Sequence, residues 1–66
     1  MKERFIERYK EAINKYFNAF DSDGRMIRNY IVYEYEHILE EEFEMKHEEV
    51  REIYDELYKQ YYGKKV

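Results

Sequence analysis

The stretch HILEEEFEMKHEEVREIYDEL (residues 37–57) contains two amphipathic segments on either side of a short interruption. Apolar residues recur every three or four positions before and after residues 44–46, which is the spacing of the buried face of an α-helix. Acidic residues open the second segment, where they interact favourably with the positive end of a helix dipole. The stretch therefore predicts the end of one helix, a tight connection and the start of another.

The rest of the chain has the same helical period. Its 66 residues include no proline and only two glycines. Residues 2–20 form the first predicted helix, whose apolar face contains Phe5, Ile6, Tyr9, Ala12, Ile13, Tyr16, Phe17, Ala19 and Phe20. The sequence DSDG provides a turn, with Ser22 or Asp23 as N-cap of a second helix over residues 24–43, and a third helix covers residues 47–62. We predict an all-α fold, a three-helix bundle in which residues 1–66 form a single domain.

Size and composition limit how such a bundle is stabilised. A chain this short buries only about 60% of its unfolded surface. It has no cysteine for a disulfide, but it has nine tyrosines and four phenylalanines, so aromatic packing or association must contribute. No apolar run approaches the length of about 20 residues that a membrane span requires, and the N-terminus lacks a signal-peptide pattern. We expect a cytoplasmic protein that does not contact membranes.

Charge is distributed unevenly along the chain. Residues 34–56 contain eleven acidic side chains and only two basic ones, Lys46 and Arg51, whereas both ends of the chain are basic. Most of these acids therefore lack the Lys or Arg four residues away that usually supports a helix. The acidic segment is either a solvated face that keeps the domain soluble or a surface that meets a basic partner.

Metal and catalytic chemistry find little support in the sequence. The DSDG turn lacks two of the four ligand positions that define a calcium-binding loop. Glu34 with His37 and Glu44 with His47 have Glu-x-x-His spacing, but a di-iron bundle needs further bridging glutamates on facing helices. The sequence has no Cys, no Thr and only one serine, Ser22, so it lacks the side chains that Ser, Thr or Cys nucleophilic catalysis requires. We expect no enzyme activity, no cofactor, no metal and no small-molecule substrate.

The opening stretch has a further pattern in its apolar positions. These positions are Ile38, Leu39, Phe43, Met45, Val50 and Ile53. Over about twenty residues they resemble the helix-turn-helix motif, in which such residues hold two helices at a fixed angle. Glu40 replaces the small residue of that motif and Glu44 its turn glycine, so Glu44 must accept a positive φ or the turn must differ. The resemblance implies a dimeric DNA-binding transcriptional regulator.

The chemistry of the third helix opposes DNA binding. The residues on its predicted solvent face are Lys46, His47, Glu48, Glu49, Arg51, Glu52 and Asp55. Four of them are acids, and only Lys46 and Arg51 are positively charged at neutral pH. Neutralisation of phosphates provides much of the affinity for DNA. DNA contact would have to come from a dimer with a different geometry or from the basic residues of the first helix and the start of the second, namely Lys2, Arg4, Arg8, Lys10, Lys15, Arg25 and Arg28. Nucleic acid is therefore an unfavoured partner.

The second predicted helix, α2 (residues 24–43), is apolar on two sides. Its core face consists of Ile27, Ile31, Val32, Tyr35, Ile38, Leu39 and Phe43. On the other side, Met26, Tyr30, Tyr33 and His37 follow one another at spacings of four, three and four residues. We call these four residues the α2 stripe. Such a helix is either central in its bundle or uses one face to bind a partner. Tyr58 and Tyr62 add aromatic rings at the margin of the third helix.

These features predict a non-enzymatic, acidic protein-binding module, a small regulator or inhibitor that engages a basic surface of another protein and could mimic nucleic acid. Its composition would suit a viral or mobile-element protein. The predicted partner-binding residues are Met26, Tyr30, Tyr33, His37, Glu40, Glu41, Glu44, Glu48, Glu49, Glu52, Tyr58 and Tyr62. The alternatives are the dimeric helix-turn-helix regulator and a structural homo-oligomerisation module. Because the α2 stripe has no assigned neighbour, we also expect a homodimer or a tight complex with another protein.

Overall fold

The computed structural model describes residues 1–63. Within that range it contains three helices and no strand: α1 (Lys2–Phe17), α2 (Ser22–Glu41) and α3 (His47–Gly63). α1 packs against both α2 and α3, and α2 also contacts α3. The prediction of an all-α three-helix bundle is confirmed, because amphipathic helices joined by short connections bury their apolar faces against one another.

The connection between α1 and α2 is longer than the sequence predicted. α1 ends at Phe17 rather than at residue 20, and the Asn18 side chain donates a 2.7 Å hydrogen bond to the carbonyl oxygen of Asn14. Phe20, which was placed on the core face, is fully exposed because the helix has already ended. α2 begins at Ser22 instead of residue 24, and its N-cap is Asp21, whose Oδ1 accepts from the Gly24 amide at 2.6 Å. The prediction of Ser22 or Asp23 as the cap is therefore wrong.

The turn between α2 and α3 has the backbone conformation that a glycine would favour. α2 ends at Glu41, two residues before the predicted end, and the Met45 amide donates to the Leu39 carbonyl oxygen at 3.1 Å. Glu44 has a φ of 55°, as the helix-turn-helix comparison requires of the residue in the glycine position. Met45 is buried beneath the turn. The turn thus closes over an apolar side chain despite its acidic sequence.

The core lies between the three helices. Its buried apolar residues are Tyr9, Ala12, Ile13, Phe17, Val32, Leu39, Met45 and Val50. Ile27, predicted for the core face of α2, is instead 61% exposed. The buried face of α2 centres on Val32 and Leu39, and a residue five positions before Val32 lies about 140° away around the helix. Ile27 therefore joins the exposed side of α2.

A buried polar network connects one residue from each helix. The hydroxyl of Tyr9 donates to Oε2 of Glu36 at 2.7 Å, and Nη1 of Arg51 donates to the same oxygen at 3.1 Å. Tyr9 and Glu36 are buried, and the Arg51 guanidinium lies over the ring of Tyr54, 4.5 Å from its centroid. Burial raises the pKa of Tyr9, and the hydrogen bond to Glu36 raises it further. The sequence did not reveal this network, because Glu36 and Arg51 counted there as surface charges.

Candidate protein-binding surface

All four residues of the α2 stripe face solvent. Met26, Tyr30 and Tyr33 are 59–68% exposed, and His37 is also exposed. Neither α1 nor α3 covers them, so α2 is not a central helix that uses both of its apolar faces for the core. Large apolar side chains that remain together on the surface of a small domain commonly mark a site of interaction.

The stripe borders an open groove. Its walls are Tyr30, Tyr33, Glu34, His37 and Ile38, and its volume is about 590 Å³. Tyrosine and histidine rings are suited to such a place because each has an apolar body and a polar group that tolerates water. The groove can therefore accept an apolar side chain from a partner and still remain hydrated in the free protein.

The charges beside Tyr30, Tyr33 and His37 of the stripe have a single sign. Residues 30–41 of α2 include four glutamates and no Lys or Arg. Glu36 is buried in the polar network, and the remaining glutamates are Glu34, Glu40 and Glu41. Arg28, earlier in α2, lines a groove against α1, so its charge is directed toward another part of the surface. The rim of the stripe is consequently acidic from Tyr30 to His37, whereas Arg25 lines a separate groove with Met26.

The predicted glutamates form a surface around the α2–α3 turn. This acidic surface comprises Glu40, Glu41, Glu42, Glu44, Glu48, Glu49 and Glu52. Glu40 accepts a 3.1 Å hydrogen bond from Nδ1 of His47, and Glu49 accepts one from the backbone amide of Lys46 at 3.2 Å. Within residues 1–63 the other members have no ion pair. Glu42 was missing from the predicted set, although its position directly after Glu41 could have indicated it.

Tyr58 and Tyr62 lie in a different part of the molecule. Their rings contact Phe17, with centroid distances of 6.1 Å and 5.6 Å, and they contact each other at 4.5 Å. Phe17 also contacts Tyr61 at 5.1 Å. Since α3 rises about 1.5 Å per residue, Tyr58 and Tyr62 lie about 9 Å and about 15 Å along the helix beyond Glu52, the last residue of the acidic surface. These tyrosines connect the C-terminal ends of α1 and α3, and the structure does not bring them to the acidic surface.

The exposed face of α3 is more acidic than the sequence indicated. Arg51, counted there as a free cation, donates to buried Glu36, and its side chain is only 39% exposed. The charged residues that are exposed on α3, or at position 46 just before it, are Lys46, Glu48, Glu49, Glu52, Asp55, Glu56 and Lys59. A phosphate backbone would meet mostly carboxylates on this face.

Cations collect instead in a groove between α1 and α2. Arg8, Lys15 and Arg28 line this groove of about 300 Å³ together with Glu11, and its apolar wall includes Tyr35. The molecule therefore has a basic groove along α1 and an acidic surface at the α2–α3 turn.

The remaining observations concern other classes of site. Within residues 1–63, no three His, Asp or Glu side chains are arranged to hold a metal ion. None of the helices in that range is both long and apolar enough to cross a membrane. Comparison with protein families, with curated proteins and with solved structures gives no match for this chain.

Proposed function

We propose that this protein is a non-enzymatic binding module that attaches to a basic surface of another protein and thereby regulates or inhibits it. The observation that carries this proposal is the position of the exposed α2 stripe beside Glu34 and Glu41, which have no ion pair in the described chain. An apolar anchor next to uncompensated charge of one sign is typical of a surface whose partner has the opposite sign.

The two parts of the surface have different physical roles. Burial of Tyr30 or Tyr33 in a partner would provide affinity, since a buried aromatic anchor is worth about 2 kcal/mol or more. Glu41, Glu44 and Glu48 would attract and orient a cationic surface before contact. The acidic surface could also occupy a nucleic-acid site on the partner, because carboxylates and phosphates both present clustered negative charge to a basic surface. Such a role suits the cytoplasm, where a cysteine-free chain needs no oxidising environment.

The experiment compares two charge reversals of equal size. The first variant combines Glu41→Lys, Glu48→Lys and Glu52→Lys, and all three positions are exposed. The matched control reverses three exposed acids of α1, namely Glu3, Glu7 and Glu11. Both variants and the unchanged protein are used to capture proteins from a lysate treated with nuclease, and circular dichroism checks that each remains helical.

We expect the unchanged protein and the α1 control to retain the same basic proteins, and the first variant to lose them. The proposal is wrong if both reversals have equal effects, or if nuclease removes everything that is captured. If the first variant is unfolded, the same comparison is made with the single change Glu48→Lys, whose exposed position in the first turn of α3 is less constrained by packing.

A second candidate, a helix-turn-helix DNA-binding regulator, is favoured by one observation. Glu44 adopts the positive φ of the motif's turn glycine, and Met45 is buried beneath it. The acidic face of α3 opposes this function, so DNA contact would need the basic groove of Arg8, Lys15 and Arg28. Protection of a specific duplex sequence would favour the regulator over the protein-binding module.

A further inference from the structure

We infer that the α2 stripe is the docking site for an amphipathic helix of the partner, with an apolar ridge flanked by Lys and Arg. This inference rests on the proposed function and specifies the form that the partner takes. It concerns the groove formed by Tyr30, Tyr33, Glu34, His37 and Ile38.

The shape of the stripe favours a helical occupant. Met26 and His37 are eleven residues apart, so the stripe extends about 16 Å along α2, or three helical turns. Tyr30, Tyr33 and His37 are separated by three and four residues, and ridges with this spacing pack into the grooves of another helix. An extended strand would need unpaired backbone groups to bond with, whereas the backbone in the middle of α2 is already paired within the helix.

The charge beside the stripe identifies the chemistry of that helix. Glu34, Glu40 and Glu41 occur in the same part of α2 as the groove, and residues 30–41 contain no cation. A partner helix with Lys or Arg on both sides of its apolar ridge would place cations near these carboxylates. The apolar ridge of the partner helix would then be buried against the stripe, while its Lys or Arg side chains would pair with these glutamates at the edge of the contact.

A second copy of this chain fits less well. In a two-fold antiparallel pair of α2 helices centred near Tyr33, Tyr30 of one copy would face His37 of the other, and Met26 would face Glu41. The Glu34 side chains of the two copies would then lie close together near the centre of the interface, with no Lys or Arg from residues 30–41 between them. Arg25 would approach Glu41 and Glu42 of the other copy at the two ends of the interface, but it would leave the central glutamates without a cation. We therefore assign the stripe to a basic helix of another protein.

The test uses designed peptides and isotope-labelled protein. The probe is a helical peptide with leucines along one face and lysines on both sides of them. One control peptide has the same composition in an alternating order that cannot form an amphipathic helix, and another replaces every lysine by glutamate. Two-dimensional NMR spectra of the full chain report which residues respond during each titration.

We expect the probe to shift the resonances of Tyr30, Tyr33 and His37 most, and to bind at least tenfold more tightly than either control peptide. Tyr33→Ser should weaken binding at least tenfold. Phe20→Ser should leave it unchanged, because that change removes an even more exposed ring that lies in the loop between α1 and α2 and does not line the groove.

Three results would overturn the inference. Shifts confined to the acidic first turn of α3 would place the helix elsewhere, and equal binding of the alternating peptide would show that charge alone suffices. Concentration-dependent shifts at Tyr30 and Tyr33 without peptide would assign the stripe to a second copy. In each case the lysate experiment still judges the proposed function separately, because it depends on Glu41, Glu48 and Glu52 rather than on the shape of the partner.

Discussion

Replacing Tyr9 by Phe should lower the free energy of unfolding by about 1.5–3 kcal/mol, the usual range for a hydrogen bond to a charged group. The Tyr9 hydroxyl lies 2.7 Å from Oε2 of Glu36, and both residues are buried. Phe keeps the ring and leaves no cavity, so the change removes only the hydroxyl. Glu36 would then retain Arg51 alone as a side-chain partner in the described chain.

Changes at Glu36 and Arg51 separate the hydrogen bond of Tyr9 from the charge of the network. Arg51→Met removes the cation from Glu36, which for a fully buried pair costs about 3–5 kcal/mol. Because the Arg51 side chain is 39% exposed, water screens the pair and we expect a smaller loss, about 1–3 kcal/mol. The triple variant Tyr9→Phe, Glu36→Leu and Arg51→Met should recover most of the stability, since no charge remains to be buried.

Urea unfolding followed by far-ultraviolet circular dichroism measures these differences. A domain of this size has a free energy of unfolding of about 3–10 kcal/mol, so Tyr9→Phe removes a large part of it. The corresponding decrease in melting temperature is about 6–24 °C. A free energy of unfolding for Tyr9→Phe within about 0.5 kcal/mol of the unchanged protein, the range typical of surface changes, would contradict a structural role of the hydrogen bond. A triple variant less stable than both single variants would contradict the cost assigned to the buried charge.

Three further predictions concern pH, the turn and DNA. Because the pKa of Tyr9 is raised on folding, its proton stays bound in the folded chain while the unfolded chain ionises near pH 10. The stability that protonated Tyr9 contributes is therefore present below about pH 10 and lost as the pH rises further. Above about pH 10, the free energy of unfolding should fall less in Tyr9→Phe than in the unchanged protein. Glu44→Gly should raise the free energy of unfolding by about 0.5–1 kcal/mol, because a side chain at positive φ is strained. The control Glu42→Gly, at a φ of −88°, should lower it, and equal effects would contradict this account. At about 0.15 M salt, footprinting should detect no sequence-selective binding to duplex DNA, and a protected site would contradict the ranking of functions.

Helix content could be predicted because it depends on a repeated signal, the spacing of apolar residues every three or four positions. Helix ends depend on single hydrogen bonds. Asp21 and Ser22 both have side chains suited to an N-cap, and only the folded backbone decides which one reaches the Gly24 amide. Phe20 fits the apolar period of α1, yet the period alone does not show that the helix stops at Phe17. The period therefore identifies a helix better than it locates its ends.

The spacing of apolar residues could not predict the polar network, because the network forms only when the three helices pack together. The acidic composition of residues 34–56 made Glu36 resemble its neighbours. A finer signal was present, since Glu36 lies four residues after Val32 and three before Leu39 and so shares their buried face. An ionisable residue in that position needs buried partners, but the sequence does not indicate that these are Tyr9 and Arg51.

The part of the candidate surface that lies on a single helix, the α2 stripe, was predicted more successfully than the part that depends on contacts between helices. The spacing of Met26, Tyr30, Tyr33 and His37 identified a second face of α2, and its side chains are exposed. Whether those residues bind a partner stays a prediction, as does the homodimer. Tyr58 could not be separated from them by sequence, because its contact with Phe17 joins residues that are 41 positions apart.

The part of the acidic surface at the C-terminal end of α2 is in an unfavourable position for the free protein, unlike Glu48 and Glu49 in the first turn of α3. The C-terminal end of a helix carries partial negative charge, and each nearby carboxylate costs about 0.3–1 kcal/mol at low salt. α2 ends with Glu40 and Glu41, continues into Glu42 and Glu44, and has no basic residue in its last turn. Solubility alone would be served equally well by acids at the opposite end of α2, where the dipole favours them. Cations supplied by a partner at the C-terminal end of α2 would offset the repulsion between these carboxylates and the negative end of the helix dipole. Binding of the partner at this end would therefore also stabilise the folded domain against unfolding.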